Sequence, residues 1–147
     1  MNSDMSLGKW ISLLYRYGHI YITKELEQYD IGKGQFLFLI ALYQKDGMSQ
    51  DEIASFLHID KGTTARALKK LELNGYIERK SNDQDLRSNF IFLTHKAMAF
   101  KPNLRSSLQG WTDILSAGLT DEELEMAFTL FRKMAKNAAD YVHNERA

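Results

Sequence analysis

The chain has 147 residues, with 19 Lys and Arg balancing 19 Asp and Glu, no Cys and a single Pro. Zero Cys excludes disulfides, thiolate catalysis, Cys-ligated zinc and iron–sulfur clusters. The neutral balance excludes a wholesale polyelectrolyte binder, though not a local basic patch. The longest apolar run, Phe36 to Tyr43, is eight residues, far below the roughly 18 that a membrane helix needs. Met1 to Asp4 lacks the positive start of a signal peptide. The expectation is a reduced, cytoplasmic protein with no membrane partner.

Few Gly and one Pro favour helix, and the apolar spacing agrees. Leu7, Trp10, Ile11, Leu14, Gly18, Tyr21, Ile22 and Leu26 recur at three and four residues, one face of a helix. A second helix is expected from about Lys33 to Gln44, apolar all round and so central, ended by Asp46-Gly47. Ser49-Gln50-Asp51-Glu52 is a capping box that opens a short helix closing at Leu57. Asp60 caps the next, from Lys61 to Asn74, with Gly75 where a left-handed C′ residue belongs. Tyr76–Lys80 and Asn89–Leu93 are β-favouring runs around the polar stretch 81–87, which predicts a two-stranded hairpin with a long tip. From Thr94 to about Ala117 the pattern is helical again, with Pro102 inside it as a source of a kink. Thr120-Asp121-Glu122-Glu123 opens a final helix that carries Leu124, Ala127, Phe131, Met134, Ala138 and Tyr141 on one face.

Charge is segregated along this order. Between Lys61 and Lys80 six cations (Lys61, Arg66, Lys69, Lys70, Arg79 and Lys80) face two acids, Glu72 and Glu78. Between Glu25 and Asp60 two lysines face seven acids. Such segregation is expected if one surface meets a polyanion. Two helices joined by a short turn, the second basic and followed by a hairpin, form a winged helix-turn-helix pattern. At 100° per residue, Thr64, Leu68, Leu71 and Gly75 share an inward face. The opposite face carries Gly62, Arg66, Lys69, Lys70 and Leu73, with Thr63 at its edge. Arg can grip a guanine edge bidentately, Thr can touch a base or a thymine methyl, and Lys suits phosphate. Gly62 lets the helix start approach a backbone anion.

The stretch Ser49-Gln50-Asp51-Glu52-Ile53-Ala54, then Leu57-His58-Ile59-Asp60-Lys61-Gly62-Thr63-Thr64-Ala65-Arg66, then Leu71-Glu72-Leu73-Asn74-Gly75-Tyr76-Ile77-Glu78-Arg79, with Asp85-Leu86-Arg87 and Leu93-Thr94, resembles the MarR family of bacterial transcriptional regulators. The motifs span about residues 30–100; length and helix order extend the likeness to the whole chain. The resemblance implies a mainly α fold with a small β-hairpin: a winged helix-turn-helix lobe at 31–95 and dimerisation helices at 5–29 and 96–145. It implies a homodimer on a palindromic operator in double-stranded DNA, and a small effector, often an aromatic or phenolic anion, that alters DNA affinity. Asp85-Leu86-Arg87 matches the family's wing-tip D-x-R, in which an Arg enters the minor groove and the carboxylate orients it. Leu86 stands where many relatives carry a further basic residue. The DNA-contact candidates are Ser49, Gln50, Lys61, Gly62, Thr63, Arg66, Lys69, Lys70, Lys80, Asp85 and Arg87.

No catalytic signature is present. Gly47-Met48-Ser49-Gln50-Asp51 misses the nucleophile elbow at its last position, and Lys33, between Gly32 and Gly34, lacks the spacing of a phosphate-binding loop. The four His, at 19, 58, 95 and 143, are too scattered for a zinc site, so no metal or cofactor is expected. Trp10, Tyr17, Tyr21, Phe36 and Trp111 are candidates to line an effector cavity between the dimer helices and the lobe, with core or dimer packing as the plainer reading. Two functions remain: a repressor that responds to a ligand, and a winged-helix module that meets an acidic protein instead of an operator.

Overall fold

The computed structural model describes residues 3–82 and 85–146, with side chains described over 4–81 and 89–145. Two compact units divide the chain, residues 1–111 and 112–147. In the first, α1 (Leu7–Leu26) is opened by Ser6, whose hydroxyl accepts the Lys9 amide at 3.2 Å. Only its second half reaches the core, through Ile22 and Leu26. α2 (Phe36–Gln44) follows, with Phe38, Leu39, Ala41 and Leu42 buried. It starts three residues later than the apolar pattern suggests. Gly34 takes the left-handed φ of +78°, which ends helical continuity upstream of Gln35.

α3 (Gln50–Leu57) begins with the expected capping box: the Ser49 hydroxyl accepts the Glu52 amide at 3.1 Å and Glu52 accepts the Ser49 amide at 3.4 Å. α4 (Lys61–Leu73) buries Thr64, Leu68 and Leu71. Gly75 exits it with a φ of +83°, and its amide and that of Tyr76 return to the Glu72 and Leu71 carbonyls.

The sheet differs from the expected two-stranded hairpin in two ways. A third strand is present: β1 (Met48–Ser49) pairs antiparallel with β3 (Asp85–Leu93), which also pairs with β2 (Ile77–Asn82), in the order β1-β3-β2. The two hairpin strands, β2 and β3, also run further into the polar stretch, with Ser81 opposite Asn89 and a register irregularity beyond. A polar ribbon carries no hydrophobic alternation to announce its pairing, and two residues are too few to show a period. Asp46 stitches the corner, since its Oδ1 accepts the Gly47 amide at 3.1 Å and the Leu93 amide at 2.9 Å. Gly47 is required there: its φ is +81°, and a Cβ would sit 3.0 Å from the Phe92 ring.

α5 (His95–Leu115) runs through Pro102 and contributes Ala97, Phe100 and Leu104 to the same core. Tyr29 and Tyr76 meet Phe100 edge-on, with ring centroids 5.0 and 5.6 Å away. The hydroxyl of Tyr76 donates to the Tyr29 carbonyl and that of Tyr43 to the Ala97 carbonyl. The lobe core therefore recruits Ile22 and Leu26 from before residue 31 and Ala97, Phe100 and Leu104 from after residue 95. In the second unit, Thr120 caps α6 (Asp121–Arg146) through a reciprocal box with Glu123, at 3.1 and 2.9 Å. No described side chain of α6 is buried. Among the described residues no helix is long and apolar enough to cross a membrane.

Leu68 has no solvent access, so Leu68→Ala should cost about 2–5 kcal/mol of stability, read as a lower urea midpoint. An unchanged midpoint contradicts this core placement.

Candidate nucleic-acid interface

α4 presents the residues that matter, and its rotation is set from inside. With Thr64, Leu68 and Leu71 buried, Lys61, Gly62, Thr63, Arg66, Lys69, Lys70 and Leu73 are all exposed. The start of the helix is tied down by Asp60, which accepts the Thr63 amide at 2.8 Å on one oxygen and the Thr63 hydroxyl at 2.7 Å on the other. These two bonds, backbone first, hold the Asp60 carboxyl below its ordinary range. The Thr63 oxygen in turn accepts from Arg66 Nη2 at 3.2 Å. The hydroxyl proton of Thr63 is thus committed, and its methyl is the part left to meet a base. Arg66 is pre-oriented along the helix face rather than free. At Gly62, a Cβ would lie 3.4 Å from both Arg66 and Asp60, so the glycine keeps this turn low.

Ser49, Gln50, Lys61 and Lys80 have structural partners as well. Ser49 caps α3. Gln50 accepts from Arg79 Nη1 at 3.0 Å, and Arg79 Nε reaches Glu72 at 3.3 Å. One guanidinium from β2 therefore joins the start of α3 to α4. Nothing local in the sequence marks Arg79 for that role. Gln50 retains its amide hydrogens for another acceptor. Lys61 lies 3.8 Å from Asp51, both highly exposed. Lys80 lies 3.5 Å from Glu78 and 4.9 Å from the Phe92 ring centroid. Exposed pairs of this kind are weak, so both lysines can exchange a carboxylate for a phosphate. The Asp85 and Arg87 side chains fall outside the described residues; β3 carries both backbones.

Four of the five aromatic candidates have described contacts of their own. Trp10 gives its indole N–H to the Asp4 carbonyl at 2.9 Å. Tyr21 stacks on Trp111 with centroids 5.4 Å apart. Phe36 lies 6.5 Å from the His19 ring, and Tyr17 is exposed. A hollow of about 780 Å³ lies instead against Tyr15, Arg16, His19, Ile20, Thr23, Lys24, Glu27, Ile31, Gly32 and Lys33. On its wall Tyr15 Oη and His19 Nε2 are 2.7 Å apart. Among the described residues, no three His, Cys, Asp or Glu side chains are grouped to hold a metal ion.

A capped short helix, a second helix with a cationic outer face, and an antiparallel wing define a winged helix-turn-helix protein. Comparison with known proteins supports the same class. The MarR family profile matches residues 31–88. The HTH-type transcriptional regulator YybA of Bacillus subtilis, itself uncharacterised, is 33% identical over 113 residues, covering 77% of this chain and 75% of that one. A MarR transcriptional regulator from Methanosarcina mazei superimposes with a TM-score of 0.89 at 40% identity, over 96% of this chain and 94% of that one. A MarR family regulator from Listeria monocytogenes, solved in complex with a 26mer DNA, gives a TM-score of 0.82 at 25% identity, over 97% and 95% of the two chains. The chain belongs to the MarR family: it is a DNA-binding transcriptional regulator and not an enzyme.

The Asp60 cap predicts an acid response. A carboxyl whose pKa is lowered by folding stabilises the fold above its ordinary range, and that stabilisation is lost as pH falls through the folded value. The protection factor of the Thr63 amide, taken against the intrinsic exchange rate at the same pH, should therefore fall on acidification below the usual aspartate range. In Asp60→Ala that protection should be low at every pH; equal protection in the two proteins contradicts the cap.

Proposed function

We propose that this protein binds a palindromic operator as a homodimer and represses transcription there, with a small aromatic or phenolic effector changing its DNA affinity. The observation that carries the reading is the division of α4 into a buried stripe and an exposed row of Thr63, Arg66, Lys69 and Lys70. That is the arrangement a helix needs to lie in a major groove. In this reading Arg66 reads a guanine and Thr63 offers its methyl to a base. Lys61, Lys69, Lys70 and Lys80 meet phosphates, Gly62 lets the backbone approach, and Ser49 and Gln50 bring the start of α3 to the flanking strand. Arg87, oriented by Asp85, enters the minor groove.

The dimer is supported by apolar surface. Leu7, Trp10, Ile11 and Leu14 of α1, and Met126, Phe128, Leu130 and Phe131 of α6, are all exposed. Surfaces of that kind mark association sites, and the helices at 5–29 and 96–145 serve it. A two-fold pair presents two equivalent reading helices, which requires an inverted repeat. Occupying that duplex excludes other proteins from it, which is repression by occlusion. The effector reading is supported by the 780 Å³ hollow, a size suited to small ligands. Its wall carries Arg16, Lys24 and Lys33 against the single carboxylate of Glu27. A ligand there acts only through different affinities for DNA-competent and incompetent arrangements.

The test is enrichment of bound sites from random duplex DNA. An inverted repeat should emerge, with half-site centres about one helical turn, roughly 34 Å, apart. Arg66→Ala should then lose about 1–3 kcal/mol and relax preference at one position of each half-site. A loss equal on all sequences makes Arg66 a phosphate contact. Recovery of no shared inverted sequence discards the operator reading in favour of a protein partner.

A further inference from the structure

Lys33 is a cation beside α4 that lies outside α3, α4 and the wing. A groove of about 410 Å³ runs between α4, at Thr63, Arg66, Ala67, Lys69, Lys70 and Leu73, and the turn before α2, at Lys33 and Gln35. That turn is built rather than loose. Gln35 is 6% exposed; its Oε1 accepts the Gly32 amide at 3.1 Å, and its backbone N–H donates to the Gly32 carbonyl at 3.1 Å. With the left-handed Gly34 between them, Gly32 and Gln35 fix the backbone of Lys33, whose side chain stays exposed.

The charge around this groove is unlike that of the rest of the lobe. Lys45, Arg79 and Lys80 sit 3.2, 3.3 and 3.5 Å from Glu52, Glu72 and Glu78, and Lys61 sits 3.8 Å from Asp51. Lys33, Lys69 and Lys70 have no carboxylate partner among the described residues, and no carboxylate lines the groove. Like charges held together this way repel, and a polyanion relieves that repulsion. A free anion would have to be held by exposed, flexible lysines alone. A duplex already seated on α4 brings its phosphates with it, so one more Lys contact needs little further ordering.

The geometry points to a seat for a DNA backbone phosphate in the groove between α4 and the turn before α2, with Lys33 as the ligand from outside the helix-turn-helix. This rests on the operator reading above, and it adds a contact that neither motif nor charge run assigned. Lys33 carries no sequence information in this role. Its contribution is affinity through counterion release.

The experiment is the salt dependence of binding to the enriched duplex, for the full-length protein and two variants. Lys33→Ala should reduce the slope of log K against log salt by about 1. Over the decade from 1 M to 0.1 M salt, the per-contact slope of roughly 0.9 corresponds to an affinity loss of about eight-fold at 0.1 M. The order of preferred sequences should not change. Lys33→Arg should keep the wild-type slope, which separates lost charge from a disturbed turn. An unchanged slope in Lys33→Ala, with wild-type protein binding normally, overturns the phosphate seat and leaves the operator reading intact. Failure of the wild type to bind any duplex overturns both. Inorganic phosphate, titrated without DNA, should give no saturable signal. Saturable binding that Lys33→Ala abolishes, together with an unchanged DNA slope, assigns the groove to a free anion and overturns the seat.

Discussion

The interface depends on burying one narrow stripe of α4. Thr64, Leu68 and Leu71 are inaccessible to solvent, and a helix with three such anchors spaced at four and three residues cannot rotate without exposing them. Fixing the inner stripe fixes the outer one. Asp60 then removes fraying at the first turn, and the chain Asp60–Thr63–Arg66 passes that rigidity on to a guanidinium on the exposed face. An Arg already ordered before binding loses less freedom when it meets its target.

Around that helix the lobe is held by long-range polar ties that coincide with its joints. Arg79 couples the start of α3, α4 and the first wing strand. Asp46 couples the end of α2 to β3. The Tyr43 hydroxyl couples α2 to α5, and that of Tyr76 couples the residue before β2 to the segment after α1; burial pushes the Tyr43 phenol up to about 12. All of these ties but the Arg79–Glu72 contact span at least 29 residues, so the wing strands and the reading helix are held to the same core. The carboxylates used in these ties and in the exposed pairs partner Lys45, Lys61, Arg79 and Lys80. The described lobe cations left without a carboxylate, Lys33, Arg66, Lys69 and Lys70, all line the groove where α4 faces the turn at Lys33. The neutral total charge of the chain therefore conceals a local positive surface, and a local surface is what sets the field felt by a close-approaching duplex.

Features that depend on neighbours within one helical turn were legible in the sequence. The capping boxes at Ser49 and Thr120, the Asp60 cap, the Gly75 exit and the inner stripe of α4 all follow from interactions at three or four residues. With the Asp85-Leu86-Arg87 pattern they also carried the family resemblance. Local spacing is where a chain's own chemistry acts before any tertiary contact exists. Tertiary structure alone decided the rest. β1 exists because Gly47 and Asp46 bring two residues alongside β3. α2 starts late because Gly34 turns left-handed against a buried Gln35. Tyr21 and Trp111 stack on each other, while the hollow forms where α1 passes the 31–33 turn. The β1–β3 pair and the Tyr21–Trp111 stack require segments dozens of residues apart to meet, and which surfaces meet is set by how the whole core packs. Periodicity along one segment holds no record of that packing.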